Sequence, residues 1–221
     1  MDPLRGLVLG TAIATIATAS CGPVSSPGTQ AGREKVTMEV VPTIELEVHS
    51  APDHLEIRYS FLNRTTGPIL IFDRFYDLKK EALDPGWVYV EIAGEVAMLK
   101  RQMELLPRGL HFDDPPVPYA REIAPGGKTA GSFKLPIPIL ESGPYNHIVK
   151  RGKPREVRIQ GIEMHMGWCP KPGREKLPPV LEPWEQDGER LLLLPYGTVA
   201  GLQKVSKSAR IPVNLKGSVK S

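Results

Sequence analysis

The chain is expected to fold as an all-β protein, an immunoglobulin-like antiparallel β-sandwich with long Pro-rich loops, with a barrel as the alternative. Three observations predict this. Apolar side chains recur at every second position in segment after segment, the period of a half-buried strand. Glycine and proline number 21 and 23 in a chain of 221 residues, an excess that supplies turns. Only two short stretches, 78–83 and 197–204, carry a helical pattern.

The strands follow in order. Val36, Met38 and Val40 alternate with Thr37 and Glu39; Ile44, Leu46 and Val48 alternate with Glu45, Glu47 and His49; Leu55, Ile57, Tyr59 and Phe61 alternate with Glu56, Arg58 and Ser60. Pro42 and the group Ala51, Pro52 and Asp53 separate them. The run from Asn63 to Pro68 reads as a turn into the apolar segment 69–72. Further strands are expected at 87–93, 96–103, 120–123, 129–135, 157–168, 190–194 and 209–215. Gly94 and Glu95 suit a two-residue hairpin loop between the first pair of these. Residues 124–128 make a turn ahead of the strand at 129–135. Pro136 and Pro212 interrupt two strands, and a residue that donates no hydrogen bond to a ladder belongs at an edge or a bulge.

Three Pro-rich excursions, 107–119, 141–154 and 169–188, are longer than most connections in compact domains, a length associated with binding loops. Tyr119, Tyr145, Trp184 and Tyr196 sit in or beside them. Tyrosine and tryptophan contribute disproportionately at interfaces, so Tyr119, Tyr145 and Trp184 are the candidates for partner contact. Plugging the ends of the sandwich is the competing role for the same rings.

Residues 1–20 read as a signal peptide. Arg5 supplies a positive start, beside Asp2, and 7–17 form an apolar stretch too short for the ~20 residues that a membrane span needs. Thr18, Ala19, Ser20, Cys21 and Gly22 follow. This segment resembles a bacterial lipobox, which places small residues at the cleavage site ahead of the cysteine; Thr18 stands where the consensus prefers leucine. The resemblance covers about the first 22 residues. It implies transfer of a diacylglyceryl group to Cys21, cleavage before it and acylation of the new amine, with the lipid bilayer as partner. Gly22 in place of aspartate implies the outer membrane over the inner one. Several acyl chains give stable anchoring where one does not. Residues 21–35, almost free of large apolar side chains, are expected to be a flexible tether, leaving 36–221 as one domain.

Composition excludes some functions. The formal net charge is +3, and its lysines and arginines form no stripe, so a nucleic-acid partner is not expected. No Gly-x-Ser-x-Gly elbow, Ser-x-x-Lys motif, His-Glu-x-x-His helix or glycine-rich phosphate loop occurs. The expectation is a non-enzymatic envelope protein without a cofactor, binding another envelope protein, a peptide or a glycan. The alternative is a copper carrier that uses Met164, His165, Met166 and Cys169, since thioether, imidazole and thiol suit copper. Strand geometry opposes it: Met164, Met166 and Trp168 share one face and His165 the other, unless a bulge at Gly167 twists the strand. A third reading, a hydrolase, would need a cleft joining at least two of His111, Asp113, Asp114 and His165. Asp73, Arg74 and Asp77 near Tyr76 read as polar residues at a strand end. With Cys21 committed to lipid, Cys169 is a lone thiol, expected to be buried.

Overall fold

The structure is a computed structural model that describes residues 40–77, 80–111, 116–146, 152–173, 183–186 and 188–220. The expected signal peptide, Cys21, the tether and the first residues of the 36–40 strand lie outside the described residues. What is described is mostly strand, with one short helix, and among its helices none is long and apolar enough to cross a membrane.

A small sheet contains β1 (Thr43–Ser50), β2 (His54–Leu62) and β8 (Lys128–Pro136) in the order β1-β2-β8, both pairings antiparallel. The alternation in β2 has the expected effect: Leu55, Ile57, Tyr59 and Phe61 are buried, and Arg58 between them is exposed. Pro136 ends β8 on the sheet edge, where its missing N–H costs no ladder bond. Between β2 and β3 (Ile69–Asp77) the predicted turn is locked by the buried Asn63. Its amide donates to the carbonyls of Gly67, Ile123 and Ala124, and its Oδ1 accepts from the Thr65 N–H.

The larger sheet is organised on β10 (Pro154–Pro170), a 17-residue strand. On one side β10 pairs first with β14 (Ile211–Lys220), then with β13 (Lys204–Lys207). On the other it pairs first with β6 (Val96–Arg101), then with β3. The β6 pairing is parallel, as is that of β9 (Ile139–Leu140) with β14; the remaining ladders are antiparallel. β5 (Tyr89–Ala93) joins β6 through the predicted hairpin, with Gly94 at φ 60°. Beyond β3 come β7 (Tyr119–Ile123), β12 (Glu189–Leu192) and the edge strand β11 (Trp184–Gln186). Pro212 stands opposite Gly161 at a register shift between β10 and β14, so this second strand proline sits at a bulge.

The sheets pack face to face over one core, to which the small sheet contributes Leu55, Ile57 and Phe61 and the large one Ile71, Leu99, Ile162, Met164, Met166 and Trp168. A second cluster on the other face of the large sheet joins Leu70, Phe72, Met103, Ala120 and Cys169 to Leu194 and Val199. Val199 belongs to α1 (Tyr196–Leu202), which bears out the expected helix near 197–204, although β13 begins at Lys204. Gln203, just past the helix, clasps the end of the β6 region: its Oε1 accepts from the Met103 N–H and its Nε2 donates to the Met103 carbonyl.

The other expected helix, 78–83, is corrected over its described residues. Ala82 and Leu83 begin β4 (Ala82–Asp84), which folds back on β3 with Leu83 opposite Tyr76. The segment has good helix formers, but six residues cannot repay helix nucleation, and pairing with an existing strand wins. Glu81 turns the chain at φ 50°.

Candidate functional site

The site grows out of an irregularity in β3. Ile71 lies opposite Arg121 and Phe72 opposite Ala120, but Arg74, not Asp73, faces Tyr119. Asp73 is thus the extra residue of a β-bulge, a device that re-aims a side chain. It corrects the expectation of a strand-end polar residue: Asp73 is fully buried in mid-strand. The ladder puts Arg74, Tyr119 and Arg121 on the face of Ile71, the face that looks toward the small sheet.

Three arginines gather around this carboxylate. Arg121 donates from Nε to Oδ1 at 3.1 Å and from Nη2 to Oδ2 at 2.7 Å, and Arg74 Nη1 donates to Oδ2 at 3.0 Å. Arg101, itself buried, donates from Nη2 to the Asp73 carbonyl at 2.7 Å and from Nη1 to the Tyr59 hydroxyl at 2.8 Å. Its guanidinium lies 5.4 Å from the Tyr59 ring centroid, a cation–π contact. A second carboxylate, Glu189 of β12, accepts from Arg74 Nε and Nη2 at 2.9 Å each and from Arg121 Nη1 at 3.2 Å. Thr129 of β8 accepts a further bond from Arg121, so the network spans both sheets. Gly131 completes it: a Cβ there would lie 2.5 Å from the Tyr59 hydroxyl, so only glycine lets that ring cross β8.

Burial by itself would raise the Asp73 pKa, but the hydrogen bonds and charges of Arg121, with Arg74 and Arg101, outweigh it and hold the group ionised below the usual carboxylate range. Arg74 is likewise opposed by burial and held charged by Asp73 and Glu189. Chemically the network is a brace. Arg74 and Arg121 are spent on resident carboxylates, and its outermost member is Glu189, more exposed than either arginine that grips it.

Along the same face, past the brace, stand three aromatic rings. Trp184 on β11 is the middle one, 5.3 Å from Tyr119 at 50° and 6.0 Å from Tyr76 at 63° between centroids and planes. Trp184 and Tyr76 are each 37% exposed, and Tyr119 is half-buried. Two of the three predicted contact residues, Tyr119 and Trp184, therefore converge, joined by Tyr76. Neither is a loop residue: Tyr119 opens β7 and Trp184 opens the edge strand β11.

Tyr145 is elsewhere and buried, its hydroxyl 3.4 Å from the Glu104 carbonyl. Burial pushes its pKa up to about 12. The copper segment is divided among three environments. Met164 and Met166 lie fully buried in the inter-sheet core, Cys169 lies in the second cluster, and His165 points away from the methionines. His165 Nε2 is 3.4 Å from Glu163 Oε2, whose other oxygen accepts from Arg210. Burial lowers the His165 pKa and raises that of the Cys169 thiol to about 11. The register shift in β10 falls between Ile159 and Gly161, not at Gly167. Replacing Met164 and Met166 together by leucine should then leave the inter-sheet core filled to nearly the same volume, costing under about 1.5 kcal/mol per site, read by chemical denaturation. Asp113 and Asp114 lie outside the described residues, and of the histidines named with them His111 is exposed and His165 buried.

The charged brace was missed in the sequence because its members are far apart: Asp73 and Arg121 are 48 residues apart, Arg74 and Glu189 115. One local signal was present. Asp73 and Arg74 interrupt the run Ile69–Asp77 with large apolar residues on both sides, a place where a pair of charges must find partners. Compared with known proteins, the chain matches no family model, no curated protein and no solved structure.

Proposed function

We propose that the protein is a lipid-anchored, non-enzymatic binding module of the cell envelope, held to the outer membrane through acylated Cys21. The notch of Tyr76, Trp184 and Tyr119 is its capture surface. The observation that carries the reading is the convergence of three part-exposed rings from β3, β7 and β11 on a rigid ionic brace. Aromatic anchors preorganised by their support are what recognition sites favour. In this reading the sandwich serves as immunoglobulin-like domains do, as a frame that displays contact residues at one end. The tether at 21–35 keeps the domain clear of the bilayer. Its partner is an envelope component, a protein, peptide or glycan.

Two measurements in cells test the two halves. Labelling with an alkyne fatty acid should mark the wild-type chain and not Cys21→Ala; label on the variant would end the lipoprotein reading. A photo-crosslinking residue at Tyr76 should trap a discrete envelope component, and Trp184→Ala should abolish the product at unchanged expression. The same product from the Trp184→Ala chain would remove the notch from the function.

A further inference from the structure

The aromatic notch has dimensions and neighbours that select among partners. A stable protein interface covers about 800 Å² per partner, and it is centred on apolar anchors. Among the described residues, the well-exposed large apolar side chains on or directly beside these strands are Tyr76, Trp184 and Leu193, the residue after β12; others, such as Val40, Leu105, Leu140 and Val205, belong to other strands or loops. The rings stand at 50° and 63° to one another, so they form the walls of a shallow notch and not a platform. One wall continues into Glu189 and Arg74, a planar carboxylate and a planar guanidinium fixed edge to edge by paired hydrogen bonds. Ring faces carry negative potential, which attracts the weakly positive C–H faces of a sugar ring. Carboxylate oxygens with spare lone pairs accept from hydroxyls. The side-chain nitrogens of Arg74 and Arg121 are already engaged by Asp73, Glu189 and Thr129, so neither arginine presents an open fork to a ligand carboxylate or phosphate.

We infer that the notch takes a neutral pyranose, one or two sugar rings of a glycan, stacked on Trp184 and hydrogen-bonded to Glu189. This rests on the reading of the notch as the capture surface and names its ligand class.

The test uses the purified chain with maltose, cellobiose and N,N′-diacetylchitobiose as probes, followed by saturation-transfer NMR and by tryptophan fluorescence. At least one disaccharide is expected to bind saturably in the millimolar range. Trp184→Ala should weaken it at least about tenfold, Tyr76→Ala and Glu189→Gln severalfold, and Trp184→Phe only slightly. Circular dichroism identifies any variant that has lost its fold, and Tyr76→Ala, at an exposed ring, serves if Glu189→Gln unfolds. The inference is overturned if no disaccharide binds, or if binding is indifferent to Trp184→Ala. A proline-rich peptide that binds in place of the sugars, and is lost with Trp184→Ala, overturns the sugar while leaving the capture surface standing. Loss of the crosslink in cells together with retained sugar binding on the purified chain would overturn the capture reading instead.

Discussion

Replacing Asp73 by alanine is expected to cost about 3–5 kcal/mol of stability, the usual result of removing one partner from a buried ionic group. The reason is what stays behind. Arg121 loses two charge-assisted bonds and Arg74 loses one. Arg101, fully enclosed beside them, keeps its bonds to the Asp73 carbonyl and Tyr59 but loses the nearest negative charge. Its Nε is already without an acceptor among the described residues. Only Glu189 remains to balance three guanidinium groups. Urea denaturation of the wild type and variant measures the loss; a difference under about 1 kcal/mol, the worth of an exposed pair, would refute the assignment of Asp73 as the keystone. Acid gives a second readout. The folded-state pKa of Asp73 is depressed, so its stabilisation is complete above the unfolded value of about 3.9 and is lost as pH falls from there through the folded pKa. The wild type should therefore lose stability below about pH 4 by a component that Asp73→Asn, less stable throughout, does not show.

Trp168→Ala should be comparably severe, about 3–5 kcal/mol for a buried aromatic cut to a methyl group. Trp168 is the last large residue of the inter-sheet core along β10, at the point where that strand passes from β6 to β3 and lies against β13. The ammonium of Lys204 sits 5.5 Å from its ring, so the cavity would also release a cation–π contact. Trp168→Phe is expected to be far milder. It keeps most of the ring, and the indole N–H it deletes is buried without an acceptor among the described residues, a group whose burial already opposes folding. Thermal denaturation of both variants checks the pair: equal losses would show that the indole nitrogen has a partner or that ring volume is not what matters.

These two residues show where sequence reading succeeds and where it stops. The strand around Trp168 was legible, and so was its inward face, because a period of two needs only neighbours along the chain. The turn held by Asn63 and the Gly94 hairpin were legible for the same reason. The burial of Asp73 is not legible in the sequence, because a carboxylate in a strand is normally at its end or on its wet face, and its acceptance in the core depends on arginines contributed by other strands. The bulge that exposes it to them adds one residue to β3, which no periodicity reports. The place of Tyr119 and Trp184 beside Pro-rich segments is legible in the sequence, but their meeting depends on β12 lying between β7 and β11. Tyr145, chosen on the same composition, went to the interior. Composition distinguishes which residues are capable of contact; register decides which ones emerge.

The length of β10 has a further consequence, in time. The chain is made from its N-terminus, and β3 and β6 are complete by residue 101, while their shared partner is finished only at residue 170. Until then each keeps an open edge, the kind of edge that recruits other chains. Pairing across such separations makes folding slow, about milliseconds to seconds for β-rich domains. Synthesis of residues 154–170 is therefore the step that turns a collection of hairpins into one cooperative body. A chain halted before it would be an aggregation hazard, and a chain halted soon after it would already hold β3 and β6 to a common spine, with β13 and β14 still to add to its other side.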